Sequence, residues 1–207
     1  MAFQNVLSKY LVQRRLPVSR HLHPERQLKF TIHGGAYGTK TLCPDDFLAL
    51  QGAVVVVIQY RLGPFAFLTT GDSAARGNFG MLDQVEALKW VEDNIENFYF
   101  FVGRRGPNKV TIFGESTGRT SVGLHLLSPL SKNLFHQAIA ESDVDLTSWS
   151  TLPVSIGVEV AKELAQKLNC PTGHVQELVE CMRKKEAADI LQARTLSSLI
   201  LFSLHQS

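Results

Sequence analysis

Residues 109–120 read KVTIFGESTGRT, and this stretch limits the possible folds more than any other part of the chain. An apolar strand at 109–113 runs into a serine that lies between two glycines, and a helical pattern begins at residue 117. Glycine on both sides permits a tight turn in which the strand and the helix approach each other closely. The stretch therefore predicts a strand, a sharp turn that presents Ser116, and a helix.

Strands and helices alternate along most of the chain, which predicts an α/β fold with a mainly parallel sheet flanked by helices. Residues 28–35 and 53–60 are β-branched apolar runs, typical of central strands that are covered on both faces. Between 80 and 98, apolar residues recur every three or four positions, which indicates an amphipathic helix. Residues 134–142 predict a further strand, and the pattern from residue 150 onwards predicts only helices and loops.

Charge and hydropathy argue against two classes of function. The chain has 207 residues, with 21 Lys and Arg against 19 Asp and Glu. Its net charge of +2 is too small to indicate the basic surface that nucleic-acid binding requires. The longest apolar run, Ala53 to Ile58, is too short to span a membrane. Near the N-terminus, Arg14 and Arg15 follow the apolar residues, which is the reverse of the order in a secretory signal peptide. We therefore expect neither nucleic-acid binding nor a membrane span, and no export signal is readable.

The turn at Gly114-Glu115-Ser116-Thr117-Gly118 matches G-x-S-x-G, the pattern of a nucleophile elbow, in the required place between a strand and a helix. Such a turn pushes the serine hydroxyl out of the sheet. The start of the helix directs backbone N–H groups at any negative charge that develops on a bound carbonyl oxygen. The alternative is an ordinary strand-to-helix turn in which Ser116 caps the helix.

A second glycine motif, His33-Gly34-Gly35-Ala36, follows the first strand. Loops of this HGG type supply oxyanion-hole donors in proteins that have a nucleophile elbow. Two adjacent glycines would let the backbone approach a substrate carbonyl closely. A plain glycine turn is the alternative for this motif by itself, but its pairing with the elbow favours catalysis.

These motifs resemble the type-B carboxylesterases, in particular the mammalian carboxylesterases. The resemblance covers most of residues 28–148 and is carried by IHGGA, VVVVIQYRLG, GNFGMLDQVEALKWVEDNIENF, VTIFGESTG and LLSPLSKNLFHQAIAES. It implies a partial α/β-hydrolase domain over residues 28–207, with 150–207 as a helical region and 1–27 unassigned. It also implies a hydrolase of carboxylic esters, with amides and thioesters as related substrates, that needs no cofactor and no metal.

Carried over by position, the resemblance makes Ser116 the nucleophile between the two elbow glycines. Gly34 and Gly35 would donate to the oxyanion, and the backbone N–H of Thr117 would complete the hole. Thr117 stands where the family usually has alanine, and its β-branched side chain would crowd the nucleophile. Glu115 would be a buried acid beside the nucleophile.

Cys170 and Cys181 match a cysteine pair that forms a disulfide in the carboxylesterases. A short loop between two helices can bring both sulfurs within bonding distance, and two reduced thiols are the alternative. A disulfide implies an oxidising compartment. The resemblance implies the lumen of the endoplasmic reticulum or secretion.

The resemblance also predicts what this chain should lack. A serine nucleophile needs a histidine that takes its proton and a carboxylate that orients the histidine, and in this fold both follow the serine along the chain. In the family both lie beyond the matched stretch. The local substitutes are not expected to reach Ser116; they are His125, His136, His174 and His205. We therefore expect an inactive chain, either a fragment of a longer enzyme or a complete product. A non-catalytic, partner-binding relative of the fold is the alternative.

Two departures from the family pattern lie outside these motifs. Residues 99–108 replace a glycine-rich turn, and we expect an insertion that places Tyr99, Phe100 and Phe101 in a loop. Asp143 and Asp145 are expected at a strand exit near the pocket. An unpaired sheet edge and uncovered apolar faces are expected to lower solubility.

Overall fold

The computed structural model describes residues 28–38, 48, 53–100, 110–142, 151–193 and 204–206. The backbone divides into two compact units. The first consists of Met1–Gly35, Lys40–Gln59 and Asp83–Asp145, and the second of Ala36–Thr39, Tyr60–Leu82 and Leu146–Ser207. Residues 1–27, Phe101, Asp143 and Asp145 fall outside the described residues, so the expectations about them stay predictions.

A four-stranded parallel sheet forms the centre of the first unit. In chain order its strands are β1 (Leu28–Ile32), β2 (Val54–Val57), β3 (Val110–Glu115) and β4 (Gln137–Glu141), and their order in the sheet is β2-β1-β3-β4. The central strands β1 and β3 are mostly buried, as their β-branched and aromatic residues predict. The α/β prediction with a mainly parallel sheet is therefore confirmed.

Three helices precede or follow the strands that carry the sequence motifs. They are α1 (Pro64–Phe67), α2 (Phe79–Phe100) and α3 (Thr117–Leu127), and a short 3-10 helix follows at Pro129–Ser131. In α2 the stripe of Val85, Leu88 and Val91 is buried while Glu86 and Lys89 are exposed, as the periodicity predicts.

The expected loop at Tyr99 and Phe100 is wrong, because α2 continues through Phe100. Aromatic residues are only moderate helix formers, but they do not break a helix. The first glycine after this segment is Gly103. The sequence therefore contains no local stop signal before the described end of α2.

The second unit contains α1 and three further helices, α4 (Val154–Lys167), α5 (Val175–Arg183) and α6 (Ala187–Gln192). Buried residues of α4 and α5 include Val160, Leu164, Leu178 and Met182. The expectation of helix and loop alone after residue 150 is incomplete, because β5 (Thr151–Pro153) and β6 (Leu204–Gln206) form a parallel pair. Three-residue strands are too short to give an alternating pattern that sequence analysis could detect.

Within the described residues, neither β2 nor β4 has a neighbouring strand on its outer side. The expectation of a central strand at 53–60 is therefore wrong for the described sheet, because β2 lies at its edge and is mostly half-buried. Apolar side chains are exposed on β4, at the last residue of α3 and just after it: Ile139 is 42% exposed, Leu127 80% and Leu130 55%. Exposed strand edges and apolar patches favour association between molecules. Low solubility is therefore retained as a prediction.

Candidate active site

The two glycine motifs meet at one edge of the sheet because of strand order. The chain passes from β1 to β2 on one side and then to β3 on the other side of β1, so the strand order reverses between β1 and β3. Loops at the carboxyl ends of parallel strands form sites at such a reversal. Ile32 pairs with Gly114, so Gly34 and Ser116 each lie two residues beyond the same rung of the ladder.

Ser116 has an unusual backbone conformation, with φ 57° and ψ −125°. A non-glycine residue at positive φ costs on the order of 1–3 kcal/mol and persists only where surrounding structure holds it. Ser116 precedes the first residue of α3, but its side chain makes no capping hydrogen bond. The alternative in which Ser116 caps the helix through its side chain is therefore wrong, and the residue is half-buried.

The elbow glycines are explained by close backbone contacts. A Cβ on Gly114 would collide with the backbone of Gly118, and a Cβ on Gly118 would collide with the carbonyl of Ile32. The strand, the turn and the helix therefore approach one another too closely for any side chain at these two positions. This contact between β1, β3 and α3 keeps the strained turn in its conformation.

The HGG loop lies directly against the elbow. A Cβ on Gly34 would stand 2.7 Å from the carbonyl oxygen of Glu115 and 3.1 Å from Cβ of Ser116. Gly35 has φ 109°, which favours glycine strongly. Gly34 is therefore beside the candidate nucleophile, and Gly35 follows it in the same loop.

His33 belongs to this site although it was not among the candidate residues. The ring is 1% exposed, and its Nδ1 lies 2.8 Å from the carbonyl oxygen of Gly34, to which it donates a hydrogen bond. Because the C=O of Gly34 and the N–H of Gly35 belong to one planar peptide, this bond also orients the N–H of Gly35. The position of His33 next to the glycines was the only sequence signal for this contact.

Thr117 and Glu115 flank Ser116 in different environments. Thr117 is 1% exposed and begins α3, where backbone N–H groups have no partner within the helix. Its Oγ1 is buried and makes no hydrogen bond. Glu115 is exposed, so the expectation of a buried acid is wrong. The reason is its place as the last residue of β3, at the open carboxyl edge of the sheet.

Two of the histidines after Ser116 are held by other groups. His136 Nδ1 accepts from the N–H of Val110 at 3.1 Å, at the amino end of β3 and thus roughly 20 Å of strand from Ser116. His125 lies near the end of α3, about 14 Å along the helix axis from Ser116. Its ring nitrogens contact Ser131 and Gln84, and burial lowers its pKa to about 4.

The other two histidines belong to the second unit. His174 immediately precedes α5, and His205 lies in β6. The second unit also contains the disulfide between Cys170 and Cys181, whose Cα atoms are 5.7 Å apart. The predicted pairing is therefore confirmed, and it connects the segment after α4 to α5.

Two other kinds of site, a metal centre and a membrane span, are absent from the part of the chain that the structure describes. No group of three or more His, Cys, Asp or Glu side chains there could hold a metal ion. None of the helices in the described ranges has both the length and the apolar character that a membrane span requires.

Comparison with known proteins agrees with the geometry. The model of the family described as "Carboxylesterase family" matches residues 23–205. Carboxylesterase 1E of Rattus norvegicus is 44% identical over an alignment of 181 residues that covers 84% of this chain and 30% of the relative. Acylcarnitine hydrolase of Rattus norvegicus is 42% identical over 89% of this chain and 32% of the relative. Liver carboxylesterase 1 of Oryctolagus cuniculus is 46% identical over 78% of this chain and 28% of the relative.

The chain thus spans less than a third of the length of these relatives. Its matched region nevertheless includes the HGG loop, the elbow and the disulfide. A family model over residues 23–205 and identities above 40% leave one conclusion: the chain belongs to the carboxylesterase family.

Proposed function

We propose that this chain carries the nucleophile-bearing part of a carboxylic ester hydrolase, with Ser116 as the nucleophile. Ser116 Oγ attacks the ester carbonyl, the alcohol leaves, and water then hydrolyses the acyl-serine. The N–H groups of Gly34, Gly35 and Thr117 stabilise the oxyanion. Small esters are the principal substrate class, with amides and thioesters as related substrates.

The contact between the HGG loop and the elbow carries this proposal. Gly34 approaches Ser116 so closely that no side chain fits between them, and Ser116 keeps a strained φ of 57° without serving as a cap. Strain at a serine beside a double-glycine loop has little structural benefit, whereas acyl transfer needs an exposed hydroxyl next to preorganised N–H donors.

The same proposal includes low activity of the 207-residue polypeptide in isolation. The histidine side chains described in the unit of Ser116 are engaged with other groups: His33 with Gly34, His125 with Gln84 and Ser131, and His136 with Val110. Without a base, the oxyanion donors and substrate binding leave an acceleration on the order of a thousandfold over water.

A transplant into a longer relative tests the nucleophile. In rat carboxylesterase 1E, the aligned region is replaced by the matching region of this chain. We expect the folded chimera to hydrolyse an aryl acetate and to lose that activity with Ser116→Ala. A chimera with native circular dichroism and the activity of its Ser116→Ala form would refute the proposal.

The isolated chain tests the missing base. We expect aryl acetate turnover close to that of Ser116→Ala, together with slow labelling of Ser116 by a fluorophosphonate. Turnover at the rate of an intact esterase that disappears with Ser116→Ala would show that this polypeptide contains its own base.

A partner-binding role without catalysis is the second candidate. Exposed Leu127, Leu130 and Ile139 near an unpaired strand edge favour it, because such surfaces often bind another protein. An active chimera excludes this role as the sole function. The Cys170–Cys181 disulfide supports an oxidising compartment, the endoplasmic reticulum lumen or the extracellular space, for either function.

A further inference from the structure

A group of polar side chains is buried between α2, α3 and the 3-10 helix of the first unit. Gln84, Ser121 and Ser131 are 0% exposed and His125 is 2% exposed. Polar atoms at such depth are costly unless each one has a hydrogen-bond partner. These four residues satisfy one another, although Gln84 and Ser121 are 37 residues apart in the chain.

The contacts form a continuous path that ends at the elbow. Ser131 Oγ lies 2.7 Å from His125 Nδ1, and His125 Nε2 lies 2.9 Å from Gln84 Oε1. Gln84 Nε2 lies 3.2 Å from Ser121 Oγ, and Ser121 Oγ lies 3.1 Å from the carbonyl oxygen of Thr117. The final acceptor is the residue next to Ser116.

The chemistry of the groups gives this path one direction. An amide oxygen only accepts, so His125 Nε2 carries the proton that faces Gln84. A neutral ring then accepts at Nδ1, and the Ser131 hydroxyl donates to it. The amide nitrogen of Gln84 only donates, so Ser121 Oγ accepts the hydrogen bond from Gln84. The Ser121 hydroxyl then donates its own hydrogen to the carbonyl oxygen of Thr117.

We propose that Ser131, His125, Gln84 and Ser121 are positioning residues, a one-way chain of four hydrogen bonds that holds the first turn of α3 and the elbow in place. Aligned hydrogen bonds polarise one another, so the final bond to Thr117 is strengthened by those before it. This inference rests on the proposed function, since Thr117 supplies an oxyanion donor there. The strained backbone at Ser116 needs such external support.

The variant Ser121→Ala removes the last link of the chain, and Thr120→Val is its matched control. Thr120 is the neighbouring residue of α3, is also 0% exposed, and its Oγ1 makes no hydrogen bond. Both substitutions delete one buried hydroxyl from the same helical turn. Only Ser121→Ala interrupts the path to Thr117.

Two measurements on the full 207-residue chain report the effect of each substitution on the elbow. We expect the amide of residue 120, whose N–H donates to the carbonyl oxygen of Ser116 at 3.2 Å, to exchange about tenfold faster in Ser121→Ala and to change less than twofold in Thr120→Val after correction for the intrinsic rate. Fluorophosphonate labelling of Ser116 should slow by a similar factor in Ser121→Ala alone. Equal exchange rates in wild type and Ser121→Ala, or equal acceleration in both variants, would overturn the inference.

Nitrogen-15 shifts of the His125 ring test the direction of the chain. We expect the Nε2–H tautomer at neutral pH, and the Nδ1–H tautomer would contradict the one-way arrangement. If Ser116 of the wild type resists the fluorophosphonate altogether, the proposed function loses its support. The exchange and tautomer data still decide the inference in that case, because neither depends on reactivity.

Discussion

Acidification is expected to destabilise the first unit through His125. Burial lowers the pKa of this histidine from 6.5 to about 4, because the ring is enclosed between Gln84 and Ser131 with no compensating negative charge among its described contacts. In the unfolded chain the ring takes up a proton as the pH falls through 6.5, whereas the folded chain keeps it neutral until about pH 4.

The sign and the size follow from the difference in bound protons. Between these two pH values the unfolded state binds more protons, so the free energy of unfolding falls as the pH falls. The slope approaches about 1.4 kcal/mol per pH unit, and the full loss by pH 4 is about 3 kcal/mol. Above pH 6.5 this histidine adds no pH dependence, because it is neutral in both states.

Urea unfolding at several pH values between 7.5 and 4 measures this slope. A Trp149→Phe background leaves Trp90 of α2 as the only tryptophan, so the fluorescence reports on the first unit. His125→Gln is the control, because an amide keeps a donor and an acceptor but does not titrate. The wild type should lose about 3 kcal/mol more than the control between pH 7.5 and 4. The reasoning would be refuted if the free energy of unfolding changed equally with pH in the wild type and in His125→Gln. A His125 proton NMR signal that titrates near pH 6.5 would refute it as well.

Two further predictions concern the elbow and the disulfide. Gly118→Ala places a methyl group on a backbone carbonyl of β1 and should destabilise the first unit by about 3 kcal/mol or more, whereas Gly173→Ala, where the methyl group meets nothing within 4 Å, should stay within about 0.5 kcal/mol. Equal urea midpoints for the two variants would contradict the close contact at the elbow. Replacing Cys170 and Cys181 together by serine should lower the free energy of unfolding by about 3 kcal/mol. This is the value expected for a short closed loop, because the two cysteines are 11 positions apart in the sequence. Thermal melts by circular dichroism measure this loss, and an unchanged midpoint would count against a formed disulfide.

Several elements could be predicted from local sequence alone. The β-branched run at β1, the apolar stripe of α2 and the change from strand to helix at Ser116 each depend on residues that are neighbours in the chain. Side-chain period and the conformational freedom of glycine act over such short distances. The resemblance to carboxylesterases then pointed to the disulfide and to the carboxylesterase family, both of which were confirmed.

Other features could not be predicted in this way. The exposure of Glu115 depends on where β3 ends at the sheet edge. The continuation of α2 through Phe100 involves a segment whose residues neither strongly favour a helix nor break one. The β5–β6 pair joins residues about fifty positions apart, and short strands find partners only through the fold.

The sequence by itself determined that Ser116 lies in a glycine-flanked turn between a strand and a helix, because adjacent residues set that backbone geometry. The tertiary structure alone decided that Gly34 lies against Ser116, and that Gln84 joins His125 to Ser121. Strand order and register bring together loops that are some eighty residues apart in the chain. Helix packing brings together the polar groups that no local pattern relates, since each of them satisfies a partner on another element.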